Sequence, residues 1–286
     1  MVAFDPQLLW NGVVVGSLIA LAALGLTLLF GLLNFINIAY GEYLAWGAYI
    51  ALGAKWADVP FILAIVLGAI GAGLIAVITD RIVFKQFSDR DPVVLLVVSI
   101  GVAFMLRNLI RVVYGGSTHF YNVGGEAPVV FGIRVLPAQV IIVTLSIVIL
   151  AIVFLILNET RIGIAMRAAS DDTDLARIRG IDTKRLVIYV SLIGGVIAGI
   201  AGVMLGIDSN INPTMGFLFL IPIFAAVILG GIGDPVGAVV GGYALGIGQN
   251  LSIIFIPSEY TPAFALLILI IGLLTRPSGL FGEATR

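Results

Sequence analysis

The apolar run from Leu8 to Leu33 limits most strongly what this chain can fold into, because it contains no Asp, Glu, Lys or Arg. A helix crosses a hydrocarbon core of about 30 Å with roughly 20 apolar residues and satisfies its own backbone hydrogen bonds there. The run is too long for a cleaved signal peptide, and Met1 to Pro6 lack the positive charge that precedes one. We therefore expect a first membrane-spanning helix that stays in the protein.

Similar runs recur along the chain. Apolar residues make up 60% of the 286 residues and charged residues 11%, against roughly 45–50% and 25% in soluble domains. Further spanning windows cover 61 to 79, 93 to 113, 137 to 157, 186 to 206, 235 to 256 and 262 to 275. Two weaker stretches, 38 to 54 and 217 to 232, are rich in glycine and interrupted by polar residues or by Pro222. The sequence predicts an all-α integral membrane protein, a polytopic bundle of eight or nine transmembrane helices with two broken or re-entrant segments.

The positive charges predict the orientation of this bundle. Three segments hold 11 of the 15 Lys and Arg residues: 80 to 92, 159 to 185, and the tail with Arg276 and Arg286. Because Lys-rich and Arg-rich loops remain on the cytoplasmic side, we expect these segments in the cytoplasm and the loop 114 to 136 outside. With nine spans the N-terminus is external and the C-terminus cytoplasmic. We expect one transmembrane permease domain, residues 1–286, in the cell (inner) membrane.

The external loop has turn signals. It contains Gly115-Gly116 and Gly124-Gly125, and Val129 to Val135 around Gly132 has the pattern of a small hairpin. Such a cap would suit an external partner as a landing surface. A simple connector is the alternative.

A weak internal repeat is also present. Tyr40-Gly41-Glu42 leading to Gly47-Ala48-Tyr49 resembles Asp234-Pro235 leading to Gly241-Gly242-Tyr243, with the same spacing. Two-fold internal repeats are frequent in transport proteins, with the substrate site where the repeats meet. Short glycine motifs also recur by chance in membrane helices.

The chemistry-bearing residues argue against an enzyme. The net charge of −1 gives no basic surface for nucleic acid, and cysteine is absent. The only histidine, His119, lies in the external loop two residues from Ser117, too close and too exposed for a catalytic pair. No cluster has metal-ligand spacing, and no Gly-x-x-x-x-Gly-Lys-Ser/Thr loop could hold ATP phosphates. We expect neither catalytic residues, nor a metal site, nor a cofactor in this chain.

The cytoplasmic segment from Gly163 to Asp182 has the pattern of a capped helix. Its signals are Ser170 as N-cap, Asp171, Asp172 and Asp174 in the first turn, Arg177 and Arg179 in the last, and Gly180 as the stop. Leu175 and Ile178 give the helix one apolar stripe. A solvated connector would show the same caps, so the pattern alone leaves both interpretations open.

Polar residues near membrane depth are candidates for a substrate path, since they are costly there unless they face a cavity or a partner. Asn34 and Asn37 are three apart and so share a helix face, and Gly41 then loosens the helix just before Glu42. These groups could hold the ammonium or carboxylate of an amino acid. An interfacial turn whose asparagines cap a helix is the alternative.

Arg107 and Arg111 lie on one helix face near its external end. Arg107 is a candidate for drawing a carboxylate toward the path. Snorkelling of both side chains to the interface is the alternative.

The segment from Gly163 to Asp182 resembles the cytoplasmic loop of ABC importer permeases. In that loop paired alanines precede a glycine, here Ala168-Ala169 and Gly180. The chain resembles branched-chain amino acid permeases in particular, of the LivH type. The matching segments are Arg167-Ala168-Ala169, Gly180-Ile181-Asp182, Gly31 to Glu42, Gly47-Ala48-Tyr49, Leu229 to Gly233, and Arg276 to Gly282. Tyr40 departs from the pattern, since many relatives carry His there.

The resemblance implies a permease subunit of an ATP-driven importer for branched-chain amino acids. It implies a second homologous, LivM-like permease, two ATP-binding subunits that hold ATP and Mg, and a periplasmic or extracellular amino acid-binding protein. The loop is then a coupling helix docked on an ATP-binding subunit. The residues it implicates are Arg167, Ala168, Ala169, Asp172, Leu175, Ala176, Ile178 and Gly180.

Two other functions remain open from the sequence. Permeases for urea or short amides resemble the amino acid permeases closely. The second open function is that of an ion-coupled secondary transporter, which would be expected to have buried carboxylates. Glu42 is the one carboxylate that the sequence places near membrane depth.

Overall fold

The computed structural model describes residues 5–88, 90–123, 127–130, 132–255, 257, 260–275 and 279–281. In this part the chain forms eleven α-helices, one short 3-10 helix at Phe84–Phe87 and a two-stranded antiparallel hairpin. The helices are α1 Pro6–Leu33, α2 Tyr40–Trp56, α3 Phe61–Ile82, α4 Pro92–Tyr114, α5 Pro137–Glu159, α6 Arg161–Asp171, α7 Thr173–Ile178, α8 Thr183–Asp208, α9 Met215–Gly230, α10 Pro235–Ser252 and α11 Thr261–Thr275. The strands are β1 Val129–Val130 and β2 Ile133–Arg134.

Every window and both weaker stretches coincide with a helix. Five of these helices, α1, α3, α4, α5 and α8, are long and apolar enough to cross a membrane. The polytopic, all-helical class of the prediction is confirmed. The weaker stretches form the shorter helices α2 and α9, of 17 and 16 residues, with Pro222 inside α9. The count of eight or nine spans remains a prediction.

Helix α1 is the centre of the bundle. Its residues from Ser17 to Leu29 are buried, and α10, α8, α9 and α5 pack around it. This matches the sequence, because a helix that is apolar on every side is suited to a position surrounded by other helices. By contrast α3, α4 and α5 bury only 28–39% of their most apolar windows, so they form the outer wall.

The two ends of the bundle are marked by different structures. At one end, here the hairpin end, Gln7 at the start of α1 donates to the carbonyl of Arg134 and accepts from its N–H, at 3.1 and 2.8 Å. At the other, the loop end, Ser170 of α6 lies against Gly31 near the end of α1. The hairpin predicted around Gly132 is confirmed, with Gly132 at φ +81° in the turn. Gly124-Gly125 lies outside the described residues.

Helix α2 begins half-way through the bundle. Tyr40, its first residue, donates from its hydroxyl to the carbonyl of Ala22, just past the middle of α1, at 2.8 Å. The chain therefore leaves α1 at Leu33 and returns to mid-depth through residues 34–39. The weaker stretch 38 to 54 thus forms a helix of 17 residues.

Non-helical backbone inside a membrane protein needs local partners. In the returning segment, Ile38 N donates to Ser99 Oγ at 3.1 Å and Ala39 N donates to Asn37 Oδ1 at 3.0 Å. Asn34 ends α1 in the left-handed conformation, at φ +54°. The prediction that Asn34 and Asn37 share a helix face is therefore wrong, because α1 ends at Leu33 and α2 begins at Tyr40, so both asparagines lie in the non-helical segment between them. Asn34 is the C-cap of α1, as the alternative interpretation has it, whereas Asn37 accepts from Ala39 N just before α2 begins.

Small residues let α2 approach its neighbours closely. A Cβ added to Gly202 of α8 would overlap the backbone carbonyl of Leu44, and one added to Gly216 of α9 would overlap that of Gly41. Membrane helices associate largely through such tight backbone contacts, since lipid gives no hydrophobic force between them. These contacts fix the position of the first turn of α2.

Substitution of Gly202 with valine is expected to lower the thermal unfolding temperature of the detergent-solubilised protein. Overpacking costs typically 1–3 kcal/mol, and about that or more is expected here because the obstructing atoms are backbone. Gly101→Val is the matched control, since a Cβ there meets nothing within 4 Å. Equal unfolding temperatures for the two variants would contradict the packing described.

Candidate functional site

A buried ion pair joins α2 to α4. Glu42 lies in the first turn of α2 and is fully buried, and Arg107 of α4 is 8% exposed. Arg107 donates from Nε and Nη2 to Glu42 Oε1, at 3.0 and 2.5 Å. Two charges at this depth are tolerated because each compensates the other, whereas either one alone would be strongly destabilising. The pair brings together two of the residues that the sequence singles out.

Aromatic rings enclose the guanidinium. Its Cζ lies 4.5 Å from the ring centroid of Phe217 in α9 and 5.5 Å from that of Phe104 in α4. Both distances are within the range of cation–π attraction. The sequence shows no sign of these two rings at the site, since α9 follows α4 by about a hundred residues.

Part of the hydrogen-bonding capacity of the pair is unused. In the part of the chain that the structure describes, Glu42 Oε2 is buried and has no hydrogen-bond partner. Two of the five guanidinium N–H groups of Arg107 bond to Glu42. A buried oxygen without a hydrogen-bond partner is uncommon and needs an explanation. The pair has an acceptor for an ammonium group and donors for a carboxylate.

Helix α4 presents polar groups beside this pair. Phe104, Asn108 and Arg111 are exposed and follow one another at one-turn spacing, and Arg111 Nη1 lies 3.4 Å from Asn108 Oδ1. The alternative that both arginines snorkel to the interface is thus compatible with the exposed Arg111. It is wrong for Arg107, whose side chain is buried in the bundle and paired with Glu42.

The other path candidates have local roles. Asn34 is exposed at the end of α1, and Asn37 is 2% exposed and accepts from the backbone N–H of Ala39, the residue before α2. Gly41 lies against the backbone of Gly216 and allows α2 and α9 to touch. The prediction that Gly41 loosens a helix before Glu42 is wrong, since α2 already begins at Tyr40.

The loop from 159 to 185 contains two helices where the sequence predicts one. Helix α6 begins after Thr160, whose Oγ1 accepts from Gly163 N at 3.1 Å. It continues through Ser170, so the prediction of Ser170 as N-cap is wrong. Asp172 has this role instead, and its Oδ1 accepts from the N–H groups of Asp174 and Leu175.

The coupling candidates divide by exposure. Six lie on the surface: Arg167, Ala168, Asp172, Leu175, Ile178 and Gly180. Two are buried: Ala169 at 1% and Ala176 at 3%. Leu175 and Ile178 are 51% and 82% exposed, one turn apart, so α7 carries an uncovered apolar stripe. Gly180 has φ +86° and ends the helix as predicted.

A cavity of about 680 Å³ opens at the loop end, within the range of roughly 300–1,000 Å³ that small-molecule sites occupy. It lies between α6, the ends of α1, α5 and α8, and the turn from α9 to α10. Its lining residues are Thr27, Leu28, Gly31, Leu32, Leu157, Met166, Arg167, Ser170, Asp171, Val190, Ile228, Ile232, Gly233, Asp234, Pro235 and Phe281. No sequence motif signals this cavity, because its walls come from six separate segments.

A family model described as the permease component of branched-chain amino acid transport systems matches residues 8–273. The LivH high-affinity branched-chain amino acid permease of Salmonella typhimurium is 32% identical, over 97% of this chain and 95% of the relative. The BraD permease of Pseudomonas aeruginosa is 30% identical over the same shares.

Among solved structures, PsaBC from Streptococcus pneumoniae in complex with a Fab has a similar fold. Its TM-score is 0.53 at 14% sequence identity, with 96% of this chain and 94% of that chain covered. At this identity the likeness concerns the fold alone. The family model and the two curated relatives, in contrast, match nearly the whole chain by sequence. They agree with the resemblance that the motifs of the sequence indicate. The chain therefore belongs to the family of permease components of branched-chain amino acid transport systems.

Proposed function

We propose that this chain forms one half of the translocation path of an ATP-driven importer for branched-chain amino acids. The observation that carries the proposal is the match to the permease family over residues 8–273, together with relatives at 30–32% identity that are named for this substrate class. Two features of the structure support it. The buried pair of Glu42 and Arg107 has charges opposite to the ammonium and carboxylate groups of an amino acid, and Leu175 and Ile178 form an exposed apolar stripe on the loop. No feature of the described residues favours urea. A buried carboxylate, which an ion-driven transporter would be expected to have, is present in Glu42, but it is paired with Arg107.

The loop end faces the cytoplasm in this proposal, and the hairpin end faces outward. Arg81, Lys85 and the cations of α6 and α7 gather at the loop end, in agreement with the positive-inside rule. In this proposal the protein lies in the inner membrane of the cell. With nine spans in one transmembrane domain, its C-terminus then lies in the cytoplasm. Arg286 and the tail that follows Phe281 lie outside the described residues, as does Arg276.

The path is proposed to run along α4 and α9. On this side the ion pair lies behind a surface that exposes Phe104 and Phe217, 56% and 42%, with polar Asn108 and Arg111 alongside. Polar side chains on a membrane helix face the interior of an assembly or water rather than lipid. A second, homologous permease would cover this surface, so that the path lies between the two subunits and Glu42 and Arg107 border it.

Coupling to ATP hydrolysis is proposed to pass through α6 and α7. Leu175 and Ile178 would insert into an ATP-binding subunit, which holds ATP and Mg, while the buried Ala169 and Ala176 seat the loop on the permease. Movement of the loop would be transmitted to α5 and α8, with which α6 packs. The hairpin end would receive an external amino acid-binding protein.

Replacement of Leu175 and Ile178 with aspartate is expected to abolish co-purification of the ATP-binding subunits and ATP-dependent leucine uptake. Both side chains are exposed, so the variant should keep the unfolding temperature of the wild type. Lys184→Asp, an exposed change in the same loop but outside α7, should leave both measurements near the wild-type values. Normal assembly and uptake in the double variant would refute the assignment of the loop.

The ion pair can be tested by comparing single and double neutral substitutions. Glu42→Gln or Arg107→Met alone should lower stability by roughly 3–5 kcal/mol, because each leaves one buried charge uncompensated. The double variant should recover most of this loss in a thermal unfolding assay. Leucine uptake should remain at least about tenfold reduced in all three.

A purely structural role of the pair predicts a different result. In that case the double variant would recover uptake together with stability. Wild-type uptake by a stable double variant would therefore remove Glu42 and Arg107 from the substrate path, while the family assignment would stand.

A further inference from the structure

The cavity at the loop end carries two opposite charges that do not neutralise each other. Arg167 and Asp171 lie one turn apart on α6, and both line the cavity. Within the described ranges neither takes part in an ion pair. Asp234, across the cavity, accepts from two backbone N–H groups at the start of α10 and so has a structural role. The cavity thus offers one guanidinium and one carboxylate to a ligand.

Much of the cavity lining beside these charges is apolar. Leu28, Leu32, Leu157 and Met166 form much of it. Thr27, 1% exposed, also lines the cavity, and its Oγ1 has no hydrogen-bond partner in the part of the chain that is described. A buried hydroxyl without a partner is uncommon and needs an explanation.

We propose that this cavity binds an α-amino acid with an apolar side chain. Arg167 holds the carboxylate in a charge-assisted contact, Asp171 holds the ammonium group, and the side chain lies against Leu28, Leu32 and Leu157. The proposal rests on the proposed function in one respect, which is that the ligand is the imported substrate after its release to the cytoplasm.

Occupancy of the cavity would affect the coupling loop directly. The two charged residues belong to α6, whereas most of the apolar wall belongs to other segments, among them α1, α5 and α8. A ligand that bridges them holds α6 against the core. The accumulated product therefore slows ATP hydrolysis by restraining the loop that must move.

The binding test uses the permease and ATP-binding subunits purified together, without the external binding protein, and radiolabelled leucine. Saturable binding is expected, with competition by valine and isoleucine and none by glutamate. Asp171→Asn and Arg167→Gln should each weaken binding about tenfold or more, as loss of a hydrogen bond to a charged group does. Arg161→Gln is the matched control, since Arg161 is exposed at the start of α6 and outside the cavity lining.

A cavity-filling pair of variants adds a second measurement. Leu157→Trp should abolish leucine binding and the slowing of ATPase activity by leucine. Leu155→Trp on the same helix should preserve both, because Leu155 is 61% exposed on the outer surface. Unchanged leucine binding in Asp171→Asn, Arg167→Gln and Leu157→Trp would overturn the proposal.

Two further outcomes have distinct meanings. In the first, the wild type binds no leucine but co-purifies with one equivalent of phosphatidylethanolamine, and the Asp171→Asn variant loses this lipid. That result would also overturn the proposal, because the cavity would be a lipid site. Leucine uptake by the complete transporter without any leucine binding in the cavity would overturn this inference alone. Failure of the complete wild-type transporter to take up leucine would contradict the proposed function, whatever the cavity binds.

Discussion

Backbone N–H and C=O groups have no water to bond within a bilayer, and this constraint organises the whole structure. It makes each apolar segment a helix, and it requires special partners wherever a helix stops inside the bundle. The segment 34–39 is such a place, where Asn37 and Ser99 supply side-chain oxygens to backbone N–H groups. Because these partners exist, α2 can start at mid-depth and place Glu42 opposite Arg107.

The position of Glu42 depends on glycine as much as on charge. Gly41 touches the backbone of Gly216, and Leu44 touches that of Gly202, so the first turn of α2 is held between α8 and α9. With the backbone fixed, Oε1 of Glu42 meets Arg107 while Oε2 is left without a partner. A buried charge pair with spare acceptors and donors is costly for stability alone. Its position beneath the exposed surface of α4 and α9 is consistent with a role in the path.

Much of the fold follows from the sequence because membrane helices require continuous apolar residues. Helix α3, expected over 61 to 79, extends to Ile82, and α8, expected over 186 to 206, begins at Thr183 because Asp182 caps it. The sequence does not distinguish between equivalent caps in this way: Ser170 and Asp172 both suit an N-cap, but α6 continues to Asp171 and Asp172 caps α7. The Glu42–Arg107 pair was predicted only as two separate candidates, since tertiary packing joins residues 65 positions apart.

We propose that this chain takes up branched-chain amino acids with energy from ATP bound by other subunits. The most direct measurement is leucine uptake by liposomes that contain the complete assembly, with ATP supplied to the ATP-binding subunits and no ion gradient. We expect saturable uptake that stops without ATP and that excess urea does not inhibit. Uptake by this chain alone under a proton or sodium gradient, or transport of urea in preference to leucine, would contradict it.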